Sequence, residues 1–231
     1  MNDEEKKDDY LICKGIKIGY DPDIISENLV KHINAGIYER EESSLIAGTI
    51  QDNERILEIG CGLGYVSALA MKTGRVEKFL GFEANPRLIP IIEKTWAFNQ
   101  VQAEVRNNVI TNTSSFQKVN FYVRQDFWAS SLSPEPYGYK EIVSVETMNF
   151  QELLEEFQPT MIICDIEGGE RQLFEGADLK GVRKVFIEVH QNVLGRWGMM
   201  KLFERFLHQD FHYDVWHSIR QVVLFSHVSR L

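Results

Sequence analysis

The sequence predicts an α/β domain in which a mostly parallel sheet carries crossover helices on both faces. Three observations predict it. Apolar runs of strand length alternate with helical segments from residue 55 onward, and a glycine-rich turn joins the first of these strands to the first helix. The next strand then ends in an acid, Glu83, 23 residues beyond Gly60. Nucleotide-binding α/β folds place at that distance the carboxylate that holds a ribose diol. An adenosine-containing cofactor is therefore expected.

Within Arg55-Ile-Leu-Glu-Ile-Gly-Cys-Gly-Leu-Gly-Tyr65, the apolar strand comes from Ile56, Leu57 and Ile59. Gly60, Gly62 and Gly64 let the backbone turn sharply against a ligand. A dinucleotide fingerprint requires G-x-G-x-x-G/A. Counted from Gly60, its sixth position is Tyr65, and the third glycine arrives one residue early. Glu58, just before the turn, is poorly suited to a pyrophosphate and well suited to a cationic amino group. S-adenosylmethionine has that group and no phosphate, and the G-x-G-x-G spelling resembles the first motif of class I methyltransferases. An ordinary αβ turn would explain the glycines alone, but not Glu83 at its distance.

Composition narrows the class. A chain of 231 residues, 44% hydrophobic, fits one domain with ample core material. No stretch approaches the 18 apolar residues of a membrane span. The acidic start, Met1 to Asp9, reads as a frayed terminus without the order of a signal peptide. Cys13, Cys61 and Cys164 are odd in number and scattered, which suits reduced thiols in the cytoplasm. A net charge of −9 without a basic block opposes nucleic acid as the substrate. Oligomeric state, a homo-oligomer included, is left open.

The elements follow in order. Residues 10–20 read as a hairpin, 23–34 as a helix, and 38–43 as the opening of another. Residues 1–50 thus form an extension expected to cover the cofactor site, and 51–231 the domain proper. Alternation then gives strand 55–59, helix 65–72, strand 78–83, helix 87–98 and strand 102–107. Residues 116–148 interrupt it after the third strand. There 121–124 and 142–147 alternate like strands, and 126–139 reads as a loop mixing aromatics with hydroxyls. Long loops in compact domains are commonly functional, so this one is a candidate wall of the acceptor pocket, a disordered surface loop being the other reading. The rhythm resumes with strand 161–165, helix 170–174, strand 185–190 and helix 198–208. Strands 211–216 and 221–226, antiparallel, close one edge.

Ligands of open α/β sheets bind beyond the carboxyl ends of the strands. Here those ends carry Glu58, Glu83, Asn107, Asp165 with Glu167, and Glu188 with His190. In Asp165-Ile-Glu-Gly-Gly-Glu170 the glycines allow close approach of a substrate, though the run also reads as a turn and helix cap. His190 can take a proton from a hydroxyl, oriented by Glu188 or Asp165, or it can be a satisfied core histidine. Asp165, Glu167, Glu188 and His190 could also hold a magnesium- or manganese-type ion, which spacing alone does not assign. His32, His208, His212, His217 and His227 lie on helix or edge patterns and are assigned no metal.

Together these motifs resemble the FkbM-type class I methyltransferases over residues 38–225. The resemblance rests on Tyr38-Glu39, Glu58-Ile-Gly-Cys-Gly-Leu-Gly64, Phe82-Glu-Ala-Asn-Pro86, Asn99 and Val105-Arg-Asn-Asn108. It continues through Phe127-Trp128, Ser130-Ser131 and Val145-Glu-Thr147 to Asp165-Ile-Glu-Gly-Gly-Glu170 and Ile187-Glu-Val-His190, the last two being the most distinctive. It implies a Rossmann-like fold with a seven-strand sheet and methyl transfer from S-adenosylmethionine, most often to a hydroxyl of a sugar, glycan or natural product. Glu58, Gly60 and Gly62 would hold the methionine part, and Glu83, with Asn85 beside it, the ribose. Asn107 or Asn108 would lie near the adenine, and Tyr38 and Glu39 would close over the cofactor. Asp165, also counted among the cofactor contacts, would face the acceptor with Glu167 and His190. The family commonly has Asp at the position of Glu58, Asn-x-Gly in place of Cys61-Gly62-Leu63-Gly64, and Glu-Gly-Ala-Glu in place of Glu-Gly-Gly-Glu. A nicotinamide-dependent oxidoreductase and a non-catalytic interaction module are the competing classes.

Overall fold

The computed structural model describes residues 9–113, 115–135 and 138–229. Most of the acidic start, and Pro136 and Tyr137 of the predicted loop, lie outside them.

The chain opens with β1 (Tyr10–Cys13) and β2 (Ile16–Gly19), antiparallel across Lys14-Gly15, both at positive φ. Such a two-residue turn matches the twist of the strands it joins. α1 (Glu27–Asn34) begins four residues later than expected, because its cap is Ser26, whose hydroxyl accepts from the Leu29 N–H. α2 (Arg40–Thr49) starts beyond Glu39, which stands in the left-handed region at φ 45°.

The alternation follows as β3 (Glu54–Ile59), α3 (Tyr65–Met71), β4 (Val76–Phe82), α4 (Ile89–Phe98) and β5 (Glu104–Arg106). An insertion then contributes β6 (Val109–Thr111), β7 (Lys118–Val123) and β8 (Glu141–Asn149). The second half runs α5 (Phe150–Phe157), β9 (Met161–Cys164), α6 (Glu170–Phe174), β10 (Lys184–Glu188), α7 (Gln191–Leu207), β11 (Phe211–Ile219) and β12 (Val222–His227). α7 starts directly after His190, not at residue 198. A break at Gly195 (φ 65°, ψ 173°) interrupts its first turn, and that glycine hides the turn from a periodicity reading.

Seven strands form the main sheet in the order β11-β12-β10-β9-β3-β4-β5, with β12 alone running against the others. The chain leaves β3 towards β4 and β5, then returns to β9 on the other side. The topological switch point therefore lies between β3 and β9, where such sheets bind ligands.

Side chains alternate between two cores with the strand period of two. Ile56, Met161, Ile163, Phe186 and Leu224 enter the core shared with the N-terminal hairpin and α1 to α4. Leu57, Ile59, Ile162, Val185, Ile187 and Phe225 enter the one formed with α5 to α7. Every residue of β9 is buried, as expected of a strand covered on both faces. Each fully buried Leu or Ile contributes about 1.5–3 kcal/mol. The same parity puts Glu58, Asp165 and Glu188 on the hairpin side of the sheet.

The N-terminal hairpin is clamped to α4. The Asn99 Oδ1 accepts from the Lys17 N–H at 3.2 Å, and the Gly19 N–H donates to Thr95 Oγ1 at 2.9 Å. A Cβ at Gly19 would come within 2.8 Å of the Lys94 Cβ. In the insertion β8 is central, parallel to β6 and antiparallel to β7. The described part of its loop is ordered about the buried Arg124, which donates to the Ala129 carbonyl, to Ser131 Oγ at 2.9 Å and to the Ser133 carbonyl at 2.9 Å.

Candidate active site

Beyond β3 the chain crosses the end of β9. Gly60 has φ 87°, and a Cβ there would lie 1.8 Å from the Asp165 carbonyl oxygen, so only glycine fits. The turn then brings the Gly62 N–H to Glu83 Oε2 at 3.0 Å, while Glu83 Oε1 accepts from the Asn85 N–H at 2.8 Å. The backbone N–H groups of Ala84 and Cys61 also face this carboxylate. Burial raises the Glu83 pKa to about 7 against these backbone hydrogen bonds. Glu58, 1% exposed, is pushed by burial to about 8, with hydrogen bonds from Cys61 and Ser67 opposing and the charge of Glu83 adding to the rise.

Polar atoms without partners converge on this cleft. Among the described residues, Glu58 Oε2 and Asp165 Oδ1 are withdrawn from solvent and have no hydrogen-bond partner, and both residues line it. Buried polar groups are normally satisfied, so two such carboxylate oxygens in one cleft point to a ligand's place. Acid around them fits the cationic amino group and ribose diol of S-adenosylmethionine. Tyr38 leans over the glycine turn, its ring 5.6 Å from that of Tyr65 and its hydroxyl 3.4 Å from where a Cβ of Gly62 would be. Glu39 lines the cleft beside it. Asn107 pins the turn after Glu83, donating to the carbonyls of Glu83 at 2.8 Å and Ala84 at 3.0 Å. The Asn108 amide turns instead to the Glu146 carbonyl of the insertion, and Asn85 accepts from the Arg87 N–H in the turn before α4.

The other end of the cleft, where the acceptor is expected, is built from the ends of β9 and β10. Cys164 pairs with Ile187, which brings Asp165 level with Glu188. Gly168 (φ 103°) packs under Val193, so closely that a Cβ would lie 2.4 Å from its Cγ1. That contact joins the loop carrying Glu167 to the start of α7. His190 stands between them, with Nε2 3.3 Å from Glu167 Oε2 and 3.8 Å from Asp165 Oδ1. Its Nδ1 meets Glu170 Oε1 at 2.6 Å, and that oxygen also accepts from the Gly168 N–H at 3.0 Å. The orienting acid is therefore Glu170, in place of the expected Glu188 or Asp165.

Burial alone would lower the His190 pKa, but hydrogen bonds to Glu167 and Glu170 and the charge of Asp165 raise it to about 11. His190 is thereby biased towards its protonated form. Asp165 is raised well above the usual carboxylate range by burial and by the charges of Glu188, Glu39 and Glu167. Glu188 is raised to about 7 by burial and the charge of Glu42. Glu39 is also raised strongly, by burial and by Glu42 and Glu188.

The structure thus brings Glu39, Asp165, Glu167, Glu188 and His190 together at one end of the cleft and Glu58, Gly60, Gly62 and Glu83 at the other. Glu170 and Glu42 were missed as site residues. The i, i+3 spacing of Glu39 and Glu42 was the available signal for the second. Nothing local could have revealed Glu170, whose partner lies 20 residues away.

A family model described as the methyltransferase FkbM domain matches residues 59–222. The chain belongs to the FkbM methyltransferase family. As a methyltransferase of this family it uses S-adenosylmethionine. No curated protein sequence matches the chain. Among solved structures, it is similar to an uncharacterized protein of Listeria monocytogenes serotype 4b, at 15% identity over 83% of this chain and 68% of that one, with a TM-score of 0.50. The ribosomal protein L11 methylase of Lactobacillus delbrueckii subsp. bulgaricus matches at 12% identity over 83% and 78%, with a TM-score of 0.48. Sp1610 of Streptococcus pneumoniae, solved with S-adenosyl-L-methionine, matches at 12% identity over 81% and 72%, with a TM-score of 0.47. At these identities the likeness concerns the fold alone. Among the described residues, no helix of this FkbM methyltransferase is long and apolar enough to cross a membrane.

Proposed function

We propose that this methyltransferase transfers the methyl group to a hydroxyl of a small acceptor, a sugar, a glycan or another natural product. One observation carries the reading: Asp165, Glu167 and His190, braced by Glu170, meet at the strand ends beside the cofactor turn. A sugar hydroxyl is a weak nucleophile and needs a group that takes its proton as the new bond forms. When bound, the cofactor's sulfonium supplies a methyl group that needs no further activation. Glu58 holds its amino group, Glu83 its ribose, and Tyr38 and Glu39 of the N-terminal extension cover it. The hydroxyl's proton passes to Asp165 or Glu167, beside which Glu170 holds the His190 ring. An acidic protein with an acid-lined cleft favours a neutral acceptor over a nucleic-acid backbone. Cys13, Cys61 and Cys164, all unpaired, support work in the cytoplasm.

The test has two stages. Calorimetric titration of S-adenosylmethionine into wild type and Glu83→Ala should show binding that the variant loses. Acceptor panels then follow release of S-adenosylhomocysteine with sugars, glycans and phenols. Methylation confined to amines or to carbon would overturn the hydroxyl reading.

A further inference from the structure

We propose that Asp165, Glu188 and His190 form a divalent-cation site, of magnesium or manganese class, at the acceptor end of the cleft. One oxygen from each carboxylate and one ring nitrogen lie within 4.8 Å of one another. Opposite ligands about 2.0–2.3 Å from a shared ion lie about 4.0–4.6 Å apart. A span within 4.8 Å closes onto an ion by small side-chain rotations, with the backbone unmoved. Their convergence is set by the sheet, since β9 and β10 are neighbours and their register brings Asp165 level with Glu188.

Two independent features point to a ligand beyond the acidity of the cluster. Asp165 Oδ1, on a side chain 36% exposed, is itself withdrawn from solvent, has no hydrogen-bond partner among the described residues, and faces His190 Nε2 at 3.8 Å. His190 is also prepared as a ligand. Glu170, 0% exposed, holds its Nδ1 at 2.6 Å and leaves Nε2 facing Glu167 and Asp165. Metal-ligating histidines characteristically give their second nitrogen to such a buried carboxylate, which fixes both ring and tautomer. Glu39 and Glu42 bring further oxygen to Glu188 in a second group of three within the same distance, so the surroundings are oxygen-rich as hard cations require.

The site's role rests on the hydroxyl-methylation reading. An ion there would bind the acceptor oxygen and make its proton more acidic. Glu167, outside the three ligands, would take that proton. The oxygen then forms its bond to the methyl carbon as the sulfur–carbon bond breaks, the electron pair passing to sulfur and neutralising it.

Binding itself is tested apart from turnover. Chelator-treated wild type and the isosteric variants Asp165→Asn, Glu188→Gln and His190→Gln are titrated with Mn2+, and uptake is read from the loss of the free-ion electron paramagnetic resonance signal. Wild type should take up one ion per chain and show nitrogen hyperfine coupling from an imidazole, which His190→Gln abolishes. Asp165→Asn and Glu188→Gln should each weaken uptake at least tenfold, with thermal melting in chelator reporting their fold. Glu170→Gln should weaken it by about 10–100-fold through the histidine alone. Absence of Mn2+ uptake by wild type that still binds S-adenosylmethionine would overturn the site and leave the methyltransferase reading intact. Uptake without nitrogen coupling would overturn the ligand assignment.

Discussion

Glu170 and His190 share a 2.6 Å contact between Oε1 and Nδ1 that joins the first residue of α6 to the residue before α7. It holds the imidazole with one edge towards the acceptor end, so Glu170 acts by positioning. Replacing it with Gln keeps the volume and removes the charge. Glu170→Gln is expected to lower kcat about 10–100-fold, the usual cost of losing such a bracing group, with S-adenosylmethionine affinity unchanged. It should also move the His190 titration, followed by NMR, down from about 11. An unmoved titration would show that Glu167 and Asp165 alone hold the proton.

The raised pKa of His190 has a signed consequence for stability. Its ordinary value is about 6.5, so folding favours the protonated form. The resulting stability is fully present below about pH 6.5 and is lost as pH rises through the folded value of about 11. Denaturant melts of wild type and His190→Gln should differ most near pH 6 and converge towards pH 11. A gap independent of pH would mean that the ring contributes packing only.

Glu58 and Glu83, at about 8 and about 7, predict proton release on cofactor binding. Both are raised because burial penalises their charged forms, and a bound cation relieves that penalty. Their pKa values should fall in the complex, so S-adenosylmethionine affinity rises with pH between 6 and 8. Calorimetry in buffers of different ionisation enthalpy reads the released protons directly. Glu58→Gln should abolish part of the release and weaken binding.

Much of this architecture was legible because β3, β9 and β10 are short, largely apolar runs buried on both faces, each with an acid at or beside its end (Glu58, Asp165, Glu188). Their period-two parity even assigns Glu58, Asp165 and Glu188 to one side of the sheet. The start of α7 was not legible, since Gly195 and Gly198 lower helix propensity there. Nor was the role of Glu170, which depends on how Gly168 seats Val193 and so brings α6 against α7. Asn108 could be placed after β5 by the alternation, but its turn towards Glu146 depends on an insertion whose packing no local pattern encodes.

Two glycines of the cofactor turn should respond differently. Gly60→Ala would drive a Cβ to within 1.8 Å of the Asp165 carbonyl oxygen in backbone that cannot yield without separating β3 from β9. Loss of folding, or destabilisation beyond about 4 kcal/mol, is expected. Gly62→Ala meets only the Tyr38 hydroxyl at 3.4 Å, so the strain of φ 53° is its main cost, about 1–2 kcal/mol. That variant should fold and bind S-adenosylmethionine more weakly, because the Gly62 N–H anchors Glu83. Comparable melts for the two would show that the close approach at Gly60 is not decisive.

At the opposite end of the sheet, Glu54 is 0% exposed and carries the charges of two cations. Its Oε1 lies 3.0 Å from Lys184 Nζ and its Oε2 2.9 Å from Arg183 Nη2, with Thr160 Oγ1 donating to Oε2. Burial would raise its pKa, but the Thr160 hydrogen bond and the Lys184 charge lower it below the usual range. Removing one partner of such a buried group leaves the others uncompensated and costs about 3–5 kcal/mol. Glu54→Gln should lose about that much, while the surviving folded fraction keeps wild-type kcat because the site lies at the other strand ends. The sign with pH is opposite to that of His190. Stability from Glu54 is present above its unfolded value, about 4.3, and is lost as pH falls through its lower folded value. Wild type and Glu54→Gln should therefore differ near pH 7 and converge in acid. A gap that persists at pH 2 would assign the loss to packing instead of charge.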